Sequence, residues 1–148
     1  MSPRISSKGP EEIDVKLTHP DRVYWPGEGV TKQGLADYYS AIWSSIEPFI
    51  VNRPLALLRC PTGIDGEHFF QRHAWKGLNE HIIEVQDPEN KEEEPYISIR
   101  DFNGLIGLVQ AATLEIHPWG STLKNWELPD TLTMDLDPGE GVPWSRVI

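Results

Sequence analysis

The strongest constraint in this chain is the length and period of its apolar runs. None approaches the ~20 residues of a membrane-spanning helix, and they switch between strand-like and helix-like spacing along the sequence. Leu55–Cys60 is apolar except for Arg59 and reads as a buried strand closed by the turn Pro61-Thr62-Gly63. Phe69–His73, Ile82–Val85, Tyr96–Arg100 and Leu114–His117 read as further strands, and Val15–Leu17 as a short one before Thr18-His19-Pro20. Between them, Leu35, Tyr38, Tyr39, Ile42 and Ile46 recur at helical spacing, predicting a helix capped by Thr31, running through Glu47 and stopped by Pro48. Leu105, Leu108, Val109 and Ala112 predict a second helix, capped by Asp101 or Asn103 and ending near Thr113. Trp25-Pro26-Gly27 and Pro118-Trp119-Gly120 are turns. Strands and helices without strict βαβ alternation point to an α+β fold.

A length of 148 residues suits a single domain. Residues 1–14 are expected to form a flexible tail, polar over Met1–Gly9 and without a signal-peptide apolar core, and residues 15–148 the folded part. The single cysteine, Cys60, excludes an internal disulfide framework and reads as a small buried residue in a cytoplasmic protein. No membrane partner is expected.

The net charge of −10 argues against nucleic-acid binding, but its distribution does not. Residues 1–80 hold 9 Lys+Arg against 10 Asp+Glu, whereas residues 81–148 hold 4 against 13. Asp87, Glu89, Glu92, Glu93 and Glu94 are expected in a solvated loop. The first half stays nearly neutral and has room for a local basic patch.

Near the end of the chain, Asp135 and Asp137 follow the alternating run Thr131-Leu132-Thr133-Met134. In a strand, both carboxylates would share one face, roughly 6–7 Å apart at Cα, while Leu132, Met134 and Leu136 take the other. Pro138-Gly139 would end that strand and leave the pair at its mouth. Such a pair can hold hard divalent cations about 3.5–4 Å apart, as two-metal nucleotidyl transfer requires. An EF-hand is excluded by Gly139 and Arg146 at positions where its loop needs oxygen ligands. The spacing of His19, His68, His73, His81 and His117 does not suggest zinc. Glu115 and His117 would face one side of an extended segment. Phe70 and Arg72 would likewise share a face, a combination that can stack a base and meet a phosphate.

Read together, these segments resemble the polymerase domain of bacterial DNA ligase D, of the archaeo-eukaryotic primase superfamily. The matching text is Leu17–Pro26, Thr31-Lys32 with Asp37-Tyr38-Tyr39, Asn52-Arg53-Pro54, Phe69–His73, Leu114–Ser121 and Asp135–Gly141. The resemblance implies a primase-polymerase-like mixed sheet with flanking helices, ending after the first catalytic strand. It also implies gap filling in repair of double-strand breaks by non-homologous end joining, with Mn2+ or Mg2+ as cofactor. By that resemblance Asp135 and Asp137 are metal ligands and His117 contacts the incoming nucleotide. Arg22 and Lys32 grip the 5′-phosphate at a DNA gap or end. Phe70, with Phe69, stacks on template, and Arg53 and Arg72 are basic positions near the DNA.

The implied partners are 5′-phosphorylated DNA ends or gaps, a nucleoside triphosphate in the complete domain, the Ku end-binding protein and ligase domains. The implied location is the bacterial cytoplasm at the nucleoid. The family's Ser-Gly-x-Lys-Gly-x-His segment and third metal-binding Asp do not occur in the 148 residues. The chain is therefore expected to be the N-terminal portion of the domain and inactive or weak alone as a polymerase. A non-catalytic DNA-end-binding module is the alternative, and pairing of two copies through an exposed sheet edge is a further expectation.

Overall fold

The computed structural model describes residues 13–147, so nearly all of the expected tail lies outside the described residues. Among these residues, seven strands and two α-helices follow in the order β1 (Val23–Trp25), β2 (Val30–Thr31), α1 (Lys32–Ile50), β3 (Leu55–Arg59), β4 (Phe69–Gln71), β5 (Ile82–Val85), β6 (Tyr96–Ile99), α2 (Phe102–Gln110) and β7 (Thr113–Pro118). A 3-10 turn spans Trp144–Arg146. The α+β expectation holds.

β3 is the centre of a five-stranded antiparallel sheet. β7 runs along one edge of β3, pairing Leu55 with Pro118 and Leu57 with Ile116. β4 and β6 share the other edge end to end: Leu57 pairs with Gln71, and Leu55 with Ile97. A bridge between His73 and Tyr96 closes the junction between those two strands. β5 then pairs with β6. The small β1–β2 hairpin, too short for its apolar pattern to announce, stands apart as a second sheet.

One face of the large sheet is covered by α2, whose residues from Phe102 to Val109 are all buried. Asp101 caps it by accepting from the Gly104 N–H. Close approach to the sheet needs a glycine: a Cβ at Gly104 would lie 2.7 Å from the Ile99 Cβ. α1 packs against α2, with Trp43 edge-on to Phe102 at 5.3 Å. Leu55, Leu57, Ile97, Ile99, Leu105 and Leu108 are fully buried at the centre of the core. Cys60 is fully buried as expected, and burial pushes its thiol pKa up.

Several local expectations are corrected. Val15–Leu17 is not a strand, because its neighbourhood is tied to side chains of α2: Asp14 N–H donates to Asn103 Oδ1 and Thr18 N–H to Gln110 Oε1, each at 2.9 Å. α1 continues through Pro48 to Ile50; the ring removes one donor in the last turn, while buried Ile50 holds that turn on the core. Tyr38 points outward, at 57% exposure, and the inward stripe is Leu35, Tyr39, Trp43, Ile46 and Ile50.

The largest departure concerns Asp135 and Asp137. Residues 131–139 form no strand, since no neighbouring segment among the described residues pairs with them. Leu132, Met134 and Leu136 are 84%, 78% and 58% exposed. The expected first catalytic strand is therefore an unpaired, solvent-facing segment.

Candidate nucleic-acid interface

The register of β3 with its neighbours builds the open face of the sheet. Leu58 lies opposite Phe70 on β4 and Glu115 on β7, and Ala56 opposite His117. Residues in register share a face, so Phe70, Glu115 and His117 emerge together, away from α2. Phe70 is 67% exposed, and its ring meets the His117 imidazole edge-on with centroids 5.9 Å apart. His117 Nε2 lies 2.9 Å from Glu115 Oε2, as the two-residue spacing in a strand anticipates. Phe69, 48% exposed, points to the opposite side of its strand.

Arg72 is exposed beside this platform, just past the end of β4, and its Nε–H donates to His73 Nε2 at 3.1 Å. His73 Nδ1 lies 2.8 Å from the Glu94 carbonyl. Glu93, in the same acidic loop, accepts from the Tyr96 hydroxyl at 2.9 Å. Tyr96 joins Trp119 and Trp126 in an edge-to-face cluster, with centroids 5.1 and 6.1 Å from it. No sequence period marks this cluster, because its members come from β6 and from the excursion after β7.

Arg22 and Lys32 meet across the β1–β2 hairpin, where the Lys32 N–H donates to the Arg22 carbonyl at 2.8 Å. Their side chains differ in kind. Arg22 is exposed and donates to the Pro61 carbonyl at 2.9 Å. Lys32 is buried, and its ammonium donates to the Thr18 carbonyl at 3.0 Å and to the main-chain and side-chain oxygens of Gln110 at 3.2 Å. Burial, then the neighbouring Arg22 charge, lowers its pKa. All three Lys32 ammonium donors thus have acceptors inside the fold.

Arg53 is likewise engaged inside the fold. Its buried guanidinium donates to the carbonyls of Trp119 and Gly120, at 3.2 and 2.9 Å, and pairs with Asp130 at 2.7 Å. It fastens the excursion between residues 119 and 131 and is 5% exposed. The Gly120 carbonyl in turn accepts from the N–H groups of Asp130 and Thr131. A Cβ at Gly120 would lie 2.4 Å from the Thr131 carbonyl oxygen, so only glycine permits this crossing.

Beyond that crossing, Asp135 and Asp137 are exposed and make no hydrogen bond or ion pair with His117, Phe70 or Arg72 among the described residues. Nor does any group of three or more His, Cys, Asp or Glu side chains among those residues converge to hold a metal. Carboxylates are the hard oxygen donors that Mg2+ and Mn2+ prefer, but the pair as arranged is an incomplete ligand set.

The family model of the LigD primase-polymerase domain matches residues 31–148. The chain belongs to the LigD primase-polymerase family. It is 34% identical over 134 residues to the multifunctional non-homologous end joining protein LigD of Pseudomonas aeruginosa, covering 90% of this chain and 16% of that protein. To the protein of the same description from Mycolicibacterium smegmatis it is 31% identical over 140 residues, covering 90% of this chain and 18% of the relative. The solved polymerase domain of Mycobacterium tuberculosis ligase D in complex with DNA superposes with a TM-score of 0.66 at 28% identity, covering 74% of this chain and 38% of that domain. The chain thus spans under a fifth of these LigD relatives' length and about two fifths of the solved domain.

Proposed function

We propose that this chain supplies the nucleic-acid platform of a LigD-type nucleotidyl transferase in non-homologous end-joining repair, and that by itself it binds DNA ends without extending them. The observation that carries the reading is the exposed Phe70 ring, edge-on to His117 on the open sheet face and two residues from exposed Arg72. A flat apolar ring with a nearby guanidinium can stack a template base and meet its phosphate. Likeness to a ligase D polymerase domain solved with DNA supports the same reading. Arg22 is the proposed 5′-phosphate contact, with its free guanidinium edge available for paired hydrogen bonds to phosphate oxygens.

Asp135 and Asp137 are proposed as the first carboxylates of the transfer site for Mn2+ or Mg2+, and His117 as a nucleotide contact. When bound, such ions would stabilise charge on the phosphate undergoing attack. The binder reading is favoured for the chain alone because no third ligand group converges near the pair among the described residues. A nucleoside triphosphate, Ku and ligase domains are proposed partners of the larger protein, at the bacterial nucleoid.

The test is binding of a labelled gapped duplex with and without its 5′-phosphate, alongside primer extension with Mn2+. Phosphate-dependent binding, weakened by Arg22→Ala and by salt, together with no extension is the expected result. Equal, salt-insensitive affinities for both duplexes would overturn the DNA-end reading, and robust extension would overturn the claim of inactivity.

A further inference from the structure

His73 occupies the junction where β4 meets β6, and its two ring nitrogens face partners of opposite kind. Nδ1 lies 2.8 Å from the Glu94 carbonyl, which can only accept, so Nδ1 carries a hydrogen. Nε2 receives the Arg72 Nε–H at 3.1 Å, and a guanidinium can only donate, so Nε2 holds a lone pair. The ring is therefore the neutral Nδ1–H tautomer, and it grips Arg72 by the inner nitrogen of its fork. Glu93 Oε1 waits 3.9 Å from the same Nε2. The Tyr96 ring lies at 4.9 Å, with its hydroxyl donating to that carboxylate.

We infer that His73 is a positioning residue that aims Arg72 at nucleic acid, and that protonation of the ring releases it. A second ring proton would sit on Nε2 and face the Arg72 N–H, placing two donors and two positive charges together. The contact cannot survive that change, and Glu93 is the acceptor nearest to take the new N–H. The groups facing the ring are Arg72 from its own strand extension, Glu93 and the Glu94 main chain from the acidic loop, and Tyr96 from β6. The acidic run is thus more than a solvated face, since one of its carboxylates stands 3.9 Å from that nitrogen, placed to accept from it once it is protonated. The aim toward DNA rests on the platform proposed above, whereas the exchange of partners at Nε2 does not.

Two measurements on the full chain separate those parts. The first follows the Arg72 Nε–H and His73 ring nitrogens by NMR from pH 8 to 5, without DNA. The Arg72 signal is expected to move with the His73 titration in the wild type and to stay fixed in His73→Gln, whose side-chain oxygen still accepts from Arg72 but does not titrate. An Arg72 signal that ignores the His73 titration overturns the inference outright.

The second reads affinity for a fluorescein-labelled gapped duplex over the same pH range. Wild-type affinity is expected to fall about fivefold more than that of His73→Gln, as for the loss of one charge-assisted contact. His73→Asn keeps a donor for the Glu94 carbonyl but offers Arg72 nothing, and should bind weakly at every pH. In an Arg72→Ala background these differences should vanish. Differences that persist there, or identical pH profiles for wild type and His73→Gln, overturn the positioning role while leaving the platform intact. A wild type that binds no duplex removes the platform and, with it, the aim toward DNA.

Discussion

Lys32 Nζ lies 3.2 Å from both the main-chain and the side-chain oxygen of Gln110. Gln110 also accepts the Thr18 N–H and donates to the Thr18 hydroxyl, at 2.9 and 2.7 Å. The end of α2, the start of α1 and the segment before β1 are thereby knotted around one ammonium group. The lysine at the start of α1 is thereby an internal tie, whereas the Arg22 side chain stays exposed beside it.

Replacing Lys32 with Met keeps the length and removes the donors. The stranded carbonyls should cost about 1–3 kcal/mol of stability, seen as a lower midpoint in urea unfolding. Arg22→Ala should change that midpoint little, because the side chain is exposed, yet lower affinity for 5′-phosphorylated DNA severalfold. The opposite split between the two variants would assign the phosphate contact to Lys32 instead.

Phe70→Ala should weaken DNA binding by about 1–3 kcal/mol, the range for loss of one base-stacking ring. With the ring 67% exposed, thermal stability should hardly change. Fluorescence anisotropy and a melting curve on the same preparation check both halves.

Gly120→Ala forces a methyl group against the Thr131 carbonyl oxygen. The expected outcome is a loss of about 1–3 kcal/mol and faster amide exchange at Asp130 and Thr131, whose N–H groups the Gly120 carbonyl accepts. Mass-spectrometric hydrogen exchange would show whether the change stays local.

The hydrogen bond from Arg53, followed by that from Thr131, holds the Asp130 carboxyl below its ordinary value of 3.8. A depressed folded value means the contribution is complete above the ordinary carboxylate value and fades as pH falls through the lowered one. Asp130→Asn should therefore lower stability at neutral pH and flatten the acid side of the stability profile. Chemical unfolding across pH 2 to 7 measures this.

Cys60, fully buried and with its thiol pKa raised by burial and by Glu115, should resist thiol reagents in the native protein. Labelling is expected to follow unfolding, so its rate in mild denaturant reports how often this part of the core opens.

Much of the fold was legible because local chemistry and burial agree. Thr31 and Asp101 cap the helices they were expected to cap, and the apolar runs at Leu55, Ile82 and Tyr96 became strands. Where tertiary contacts decide, the pattern misled. Ile50 is buried beyond Pro48, so the helix outlasts its stop signal. Alternation from Thr131 to Asp137 is as good as any strand in the chain, but a strand also needs a neighbour to bond with, and none pairs with it among the described residues. Of the candidate site, the placement of Phe70, His117 and Arg72 on or beside one open sheet face was readable from alternation and residue type. The burial of Lys32 and Arg53 was not, because their partners are mostly backbone carbonyls, which every residue carries.

Arg53 grips the excursion after β7 at both its stems, by the carbonyls of Trp119 and Gly120 on the way out and by Asp130 on the way back. Its exposed tip at Glu127 and Leu128 can consequently lengthen or shorten without changing where the chain re-emerges. Evolution, or an engineer, can graft new recognition sequence at that tip and leave the launch point of the acidic segment untouched.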